Sequence, residues 1–266
     1  MKTDARAQFG RRTLDELRIE DEPSFRHIEL YADLKETLRR DGYSFRILPE
    51  TSAAGWDRAL FLNLTFWGAN EGGDVLVDET IPADVVAHVA WHRLATKALT
   101  PSLGARSSVE ALFLGEAIAS AFDLYLVGRL LGHAPSSSFL ATQVPAMAEV
   151  AESAGLDEDD FAKLLQGVAD NPEAAFASLR ELLSDVTGAL FASEHAEGAL
   201  DVLERIGSHR FGSLLHRYEL ANWILYARAY GSHQPAPNVR AVDRALREAK
   251  DPLEWLTAAW VRPALG

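Results

Sequence analysis

The stretch Ile81–Leu99, IPADVVAHVAWHRLATKAL, decides how the rest of the chain is read. Pro82 opens it, and a run dominated by alanine, valine, leucine and tryptophan follows, the composition of a helix that is apolar on most of its sides. Within that run stand His88 and His92, four residues apart. Helical spacing puts such residues about 40° from each other around the axis, so both imidazoles leave one face and can grip a single ion. Buried imidazoles without partners are costly, so the partners must come from elsewhere in the chain.

The next helical segment supplies them. It reads SSVEALFLGEAIASAFDLYLVGRLLG over 107–132, and between Ala111 and Val127 its only acids are Glu116 and Asp123. With Ser120 they fall at i, i+4 and i+7, one stripe along a helix. A carboxylate inside such a run neutralises, pairs or coordinates a cation.

Working outward, PSFRHIELYADLKETLRRDG (23–42) has helical periodicity closing at Gly42. Three runs rich in β-branched and aromatic residues follow: YSFRIL (43–48), RALFLNLTFW (58–67) and DVLVDE (74–79). The turn residues between the last two predict neighbouring strands, a hairpin among the arrangements they allow. After Pro82 the pattern is helical, with helices expected near 82–99, 106–131, 137–154, 157–168, 172–191, 193–207, 210–230, 238–249 and 252–262. The expected fold class is α+β: a small β-sheet preceding a predominantly helical body. Its expected segments are a charged, loosely held lead-in at 1–22, an α+β region at 23–132 that carries the histidine and glutamate helices, and a helical region at 133–266.

Composition narrows the chemistry. The 266 residues are 48% hydrophobic and 24% charged, enough to bury a sizeable core. A net charge of −13 repels a phosphate backbone, so neither nucleic acid nor an anionic membrane is an expected partner. Cysteine is absent, which leaves histidine and carboxylate as the metal-ligating side chains. The N-terminal residues have no apolar run behind their positive charge, and Glu116, Asp123 and Arg129 interrupt the greasiest stretch at about 2.5 to 3.5 kcal/mol each near a bilayer centre. The expectation is a cytoplasmic protein.

VVAHVAWH resembles the VVAHExxH helix of the zincin metallopeptidases, and GEAIAS resembles the third-ligand helix of their glutamate-zincin branch. In that branch the glutamate follows the second histidine by roughly two dozen residues; here Glu116 follows His92 by 24 (116 − 92). The resemblance covers about residues 56–132. It implies a zincin-like fold in which His88, His92 and Glu116 hold a metal, zinc in the first place, with iron or manganese as the other ions such donors take. Two positions depart from the family's pattern. Val89 stands where the general base belongs, and Ser120 stands where an acid normally orients a histidine. A lost base typically removes about 10² to 10⁴ in rate, while a metal still acidifies its water. Glu79, Asp84 and Asp123 are the nearest carboxylates that could stand in.

The functional expectation is a zincin-like metal-binding protein with a lost or altered base, a divergent metallohydrolase. The alternatives are an inactive relative that binds a peptide or protein partner, and a non-haem iron enzyme, since two histidines and a carboxylate with open positions suit that chemistry as well. A polar network satisfied within the core is the structural alternative.

Other features read more plainly. Glu194, Glu197, Asp201 and Glu204, beside His195, describe a solvated helix face. Trp223, Tyr226 and Tyr230 form an aromatic stripe that core packing explains, with His209, His216 and Tyr218 upstream. If this region forms the far wall of a zincin cleft, Tyr218 or His216 could stabilise an oxyanion. No phosphate-binding loop, dinucleotide fingerprint or nucleophile elbow is present.

Overall fold

The computed structural model describes residues 9–48, 74–100 and 106–266, and the chain is mostly helical with two small sheets near its N-terminus. The strand expected at 58–67 and its turn lie outside the described residues. The strands are β1 (Gly10–Thr13), β2 (Arg18–Glu20), β3 (Ser44–Ile47), β4 (Val75–Leu76) and β5 (Thr80–Pro82). Strand β3 is central in one sheet, antiparallel to β1 with Thr13 opposite Ser44 and parallel to β4, while β2 and β5 form a separate parallel pair.

These pairings correct the expectation of a loosely held lead-in. From Gly10 onward the segment is tied down, because Leu14 and Leu17 are buried in the core between two strands that each pair with later sequence. Local charge masked the two leucines. Thr13 and Glu16 close a capping box around the turn between β1 and β2, and Arg12 pairs with Glu79 at 2.6 Å.

The helices are α1 (Glu22–Phe25), α2 (Glu29–Arg40), α3 (Ala83–Leu99), α4 (Val109–His133), α5 (Ser138–Ser153), α6 (Glu158–Asp170), α7 (Pro172–Ala192), α8 (Ala196–Ile206), α9 (Arg217–Tyr230), α10 (Pro237–Glu248), α11 (Pro252–Leu256) and α12 (Arg262–Leu265), the last two joined by a π turn at Thr257–Val261. Most lie within a few residues of their expected bounds. Two expected helices are broken. The one expected over 23–42 is interrupted at Ile28, whose backbone is extended while its side chain, like that of Phe25, is buried. The one expected over 210–230 is a 3-10 turn at Gly212–Leu214 followed by α9, because His216 is extended at the cap.

Helix α4 is the axis of the body. Its first turn is capped by Ser108, whose hydroxyl accepts from the Ala111 amide. It is the one described helix long and apolar enough to cross a membrane, and 83% of its most apolar window is buried inside the protein. Helices α3, α6 and α7 cover it. The approach of α3 is close at Gly115, where a Cβ would sit 3.3 Å from that of Ala95. That glycine directly precedes Glu116, so a close approach of α3 to α4 lies beside the glutamate. Asp41, just past α2, fixes the other side of α3 by accepting from Arg93 at 2.9 Å and from Lys97.

Candidate metal centre

His88, His92 and Glu116 come together between α3 and α4, with one ligand atom from each lying within 4.8 Å of the other two. No other group of three or more such residues occurs among the described residues. His92 Nε2 is 3.1 Å from His88 Nε2 and 3.3 Å from Glu116 Oε2, and His88 Nε2 is 3.9 Å from Glu116 Oε1. Donors about 2.0 to 2.2 Å from one ion at tetrahedral angles stand roughly 3.3 to 3.5 Å apart, so the three separations bracket that figure. The glutamate is buried, whereas the His88 and His92 side chains keep 25% and 36% of their surface exposed. The site therefore has a closed floor on α4 and an accessible rim on α3, as a centre with an open position requires.

Hydrogen bonds set the donor atoms. His88 Nδ1–H donates to Asp123 Oδ2 at 3.0 Å, which leaves Nε2 facing the cluster. Ser120 donates to Glu116 Oε1 at 3.2 Å. Ser120, expected to hydrogen-bond a histidine ring, instead supports the glutamate, and Asp123, expected among the possible bases, holds His88. A hydroxyl at i+4 reaches back along its own helix, while the carboxylate at i+7 faces across to α3. Asp123 Oδ1 is buried with no hydrogen-bond partner among the described residues.

The electrostatics follow. Burial disfavours a charged His88, but the charge and hydrogen bond of Asp123, with Glu116 and Asp74 adding, outweigh it and push its pKa up to about 9. Burial opposes the Glu116 charge too, yet His92, His88 and the Ser120 hydroxyl hold its pKa below the usual carboxylate value. Asp84, one turn before His88 on α3, is pushed up to about 6 by burial and the nearby Asp123. Asp74, which accepts from the Tyr43 hydroxyl at 2.6 Å, adds its charge from the start of β4. Spacing within α3 and α4 could not have revealed Asp74.

The remaining candidates separate cleanly. Val89 is 6% exposed and carries no polar atom toward the cluster. Glu79 is engaged by Arg12 at the surface. Glu194, Glu197, Asp201 and Glu204 are exposed, a solvated face as expected. Trp223 packs against the core, and the Tyr226 and Tyr230 rings lie 5.1 Å apart. His216 and Tyr218, both exposed, meet edge to face at 6.2 Å. Beside them is Glu219, which spacing gave no reason to single out; its carboxyl is within electrostatic reach of Glu116, Asp123 and His88.

Asp123→Asn is expected to lower affinity for a divalent cation about 10- to 100-fold while leaving the fold intact, because it weakens the hydrogen bond that aims His88 without removing a ligand. Competition against a chromophoric chelator measures this, and an unchanged affinity would mean the contact does no orienting. No protein-family model, no curated protein and no solved structure matches this chain.

Proposed function

We propose that this chain is a zincin-like metalloprotein that holds one divalent cation on His88 Nε2, His92 Nε2 and Glu116, and that it is a divergent hydrolase whose base is not on the histidine helix. The observation that carries the reading is the convergence of three donor atoms within 4.8 Å on two adjacent helices, with His88 and Glu116 each held in place by a hydrogen bond to a neighbour. The GEAIAS helix and its spacing from His92 support the zincin relationship. Nitrogen and oxygen donors without thiolate suit zinc, and iron or manganese take the same set. The ion would supply Lewis acidity toward a water or a carbonyl. The residues of this chain orient it: Asp123 through His88, Ser120 through Glu116.

The second reading, an inactive relative that binds a peptide or protein partner, is favoured by one observation. Val89, at the position that follows the first histidine, is buried and apolar.

Elemental analysis of protein purified without chelator tests the first reading. About one zinc, iron or manganese per chain is expected, falling below about 0.2 in His92→Ala; wild-type protein that stays below about 0.2 after metals are offered would leave only a core hydrogen-bond network. Metal-dependent turnover of a peptide or ester, abolished by His92→Ala, separates the hydrolase from the binding module.

A further inference from the structure

Helix α9 lies along α4 in the opposite direction, and three contacts fix the register. At the outer end Val109 N–H donates to Ser232 O at 3.0 Å and Ser232 N–H donates to Ser107 O at 2.8 Å. Gly231 presses on Val109 so closely that a Cβ there would fall 2.7 Å from the valine methyl. One to two turns further in, Phe113 of α4 packs with Ile224 and Ala227 of α9 in a cluster of their own. Continuing in the same register, the next turn of α4 brings Glu116 and Ser120, and the preceding turn of α9 brings Glu219 and Leu220. Leu220 is buried against the core, and Glu219 is its exposed neighbour at the rim.

The electrostatic surroundings of Glu219 agree with that register. It feels Glu116 and Asp123 on α4, His88 on α3, and His216 on its own helix. Asp84 stands one turn before His88 on α3 and feels Asp123 and His88. Helix α9 thus packs on the same helix, α4, that carries Glu116, and Glu219 lies in the first turn of α9.

Resting on the metal-site reading above, we propose that Glu219 is the general base of this centre, supplying from α9 the carboxylate that Val89 does not supply from α3. Two other candidates are otherwise engaged: Asp123 holds His88, and Glu79 is bound by Arg12. In the hydrolytic step a water oxygen forms a bond to an acyl carbon while the carboxylate of Glu219 accepts the water's proton. The carbon then releases its amine or alcohol leaving group, and Glu219 returns the proton to that group, so the carboxylate ends as it began.

Cobalt(II) loaded into the full chain gives the test, because its visible bands report both affinity and the protonation of the water beside it. Glu219→Gln is expected to bind cobalt within about threefold of wild type and to move the midpoint of the alkaline spectral transition by about one pH unit, a tenfold change in proton affinity. Asp84→Asn removes the same charge from the histidine helix and is expected to move it by less than half as much. A Glu219→Gln midpoint within about 0.3 of wild type, or an equal shift in both variants, overturns the proposal. A tenfold or greater loss of cobalt affinity in Glu219→Gln also overturns it, since Glu219 would then be a ligand. Absence of cobalt uptake by the wild type removes the metal-site reading itself, a result distinct from the others. Glu219 is exposed, so the glutamine variant is expected to fold as the wild type does, and circular dichroism checks this.

Discussion

Val89→Glu is expected to lower the melting temperature of the metal-free protein by roughly 6 °C or more, and zinc is expected to restore part of the loss. Val89 sits on α3 directly after a proposed ligand and is 6% exposed. A carboxylate there has no partner in the metal-free state. Burying it costs about 3 kcal/mol or more, or else forces its pKa upward until it is neutral. In a protein of this size that is a fall in melting temperature of roughly 6 °C or more. With a cation on His88, His92 and Glu116 the same carboxylate lies next to a positive charge, which offsets part of its desolvation cost. Thermal melts with chelator and with zinc are therefore expected to diverge much further for Val89→Glu than for the wild type. Equal losses under the two conditions would refute a metal beside position 89.

Glu116→Ala is expected to be as damaging for a different reason. The glutamate is the acceptor shared by Ser120 and His92 and lies close to His88, and removing one member of a buried charged group typically costs about 3 kcal/mol or more because the others are left unpaired. Loss of the anionic ligand is expected to reduce metal affinity by more than about 100-fold as well. Its pH dependence distinguishes this from a simple cavity. In the metal-free wild type, His88 is raised to about 9, so its contribution is fully present below the unfolded value of about 6.5 and is lost as pH climbs through about 9. Glu116 is depressed, so its contribution is present above about 4.3 and is lost as pH falls through the lower folded value. Stability from the cluster is thus greatest between about 4.3 and 6.5. The alanine variant is expected to lose the acid limb and keep a reduced alkaline limb, since Asp123 still holds His88. Urea midpoints across pH 3 to 10 measure both; parallel curves for the two proteins would show that Glu116 is not coupled to the histidines.

Two elements of the candidate site are legible in the residues alone. A helix in which His88 and His92 share a face, and a second whose only interior acids are Glu116 and Asp123, follow from helical periodicity and the cost of burying unpaired polar groups. Both were legible because their cues are local: Pro82 opens the first, and most side chains within the two are apolar. The helical body was legible for the same reason. The zincin relationship rests on those same motifs, and it remains a proposal.

Contacts across elements had no such local cue. The pairing of residues 10–20 with β3 and β5 was hidden because edge strands of three or four residues carry no periodic signal of their own. The roles of Ser120 toward Glu116 and of Asp123 toward His88 depended on how α4 packs against α3. The reach of Asp74 and Glu219 toward the centre was invisible in the sequence, since they lie well before and well after the histidines and are brought in by β4 and by the antiparallel packing of α9 on α4. Periodicity fixes which side chains share a face, because the turn of a helix is a local property. Which face meets which depends on the packing of whole elements, and no local rule contains it.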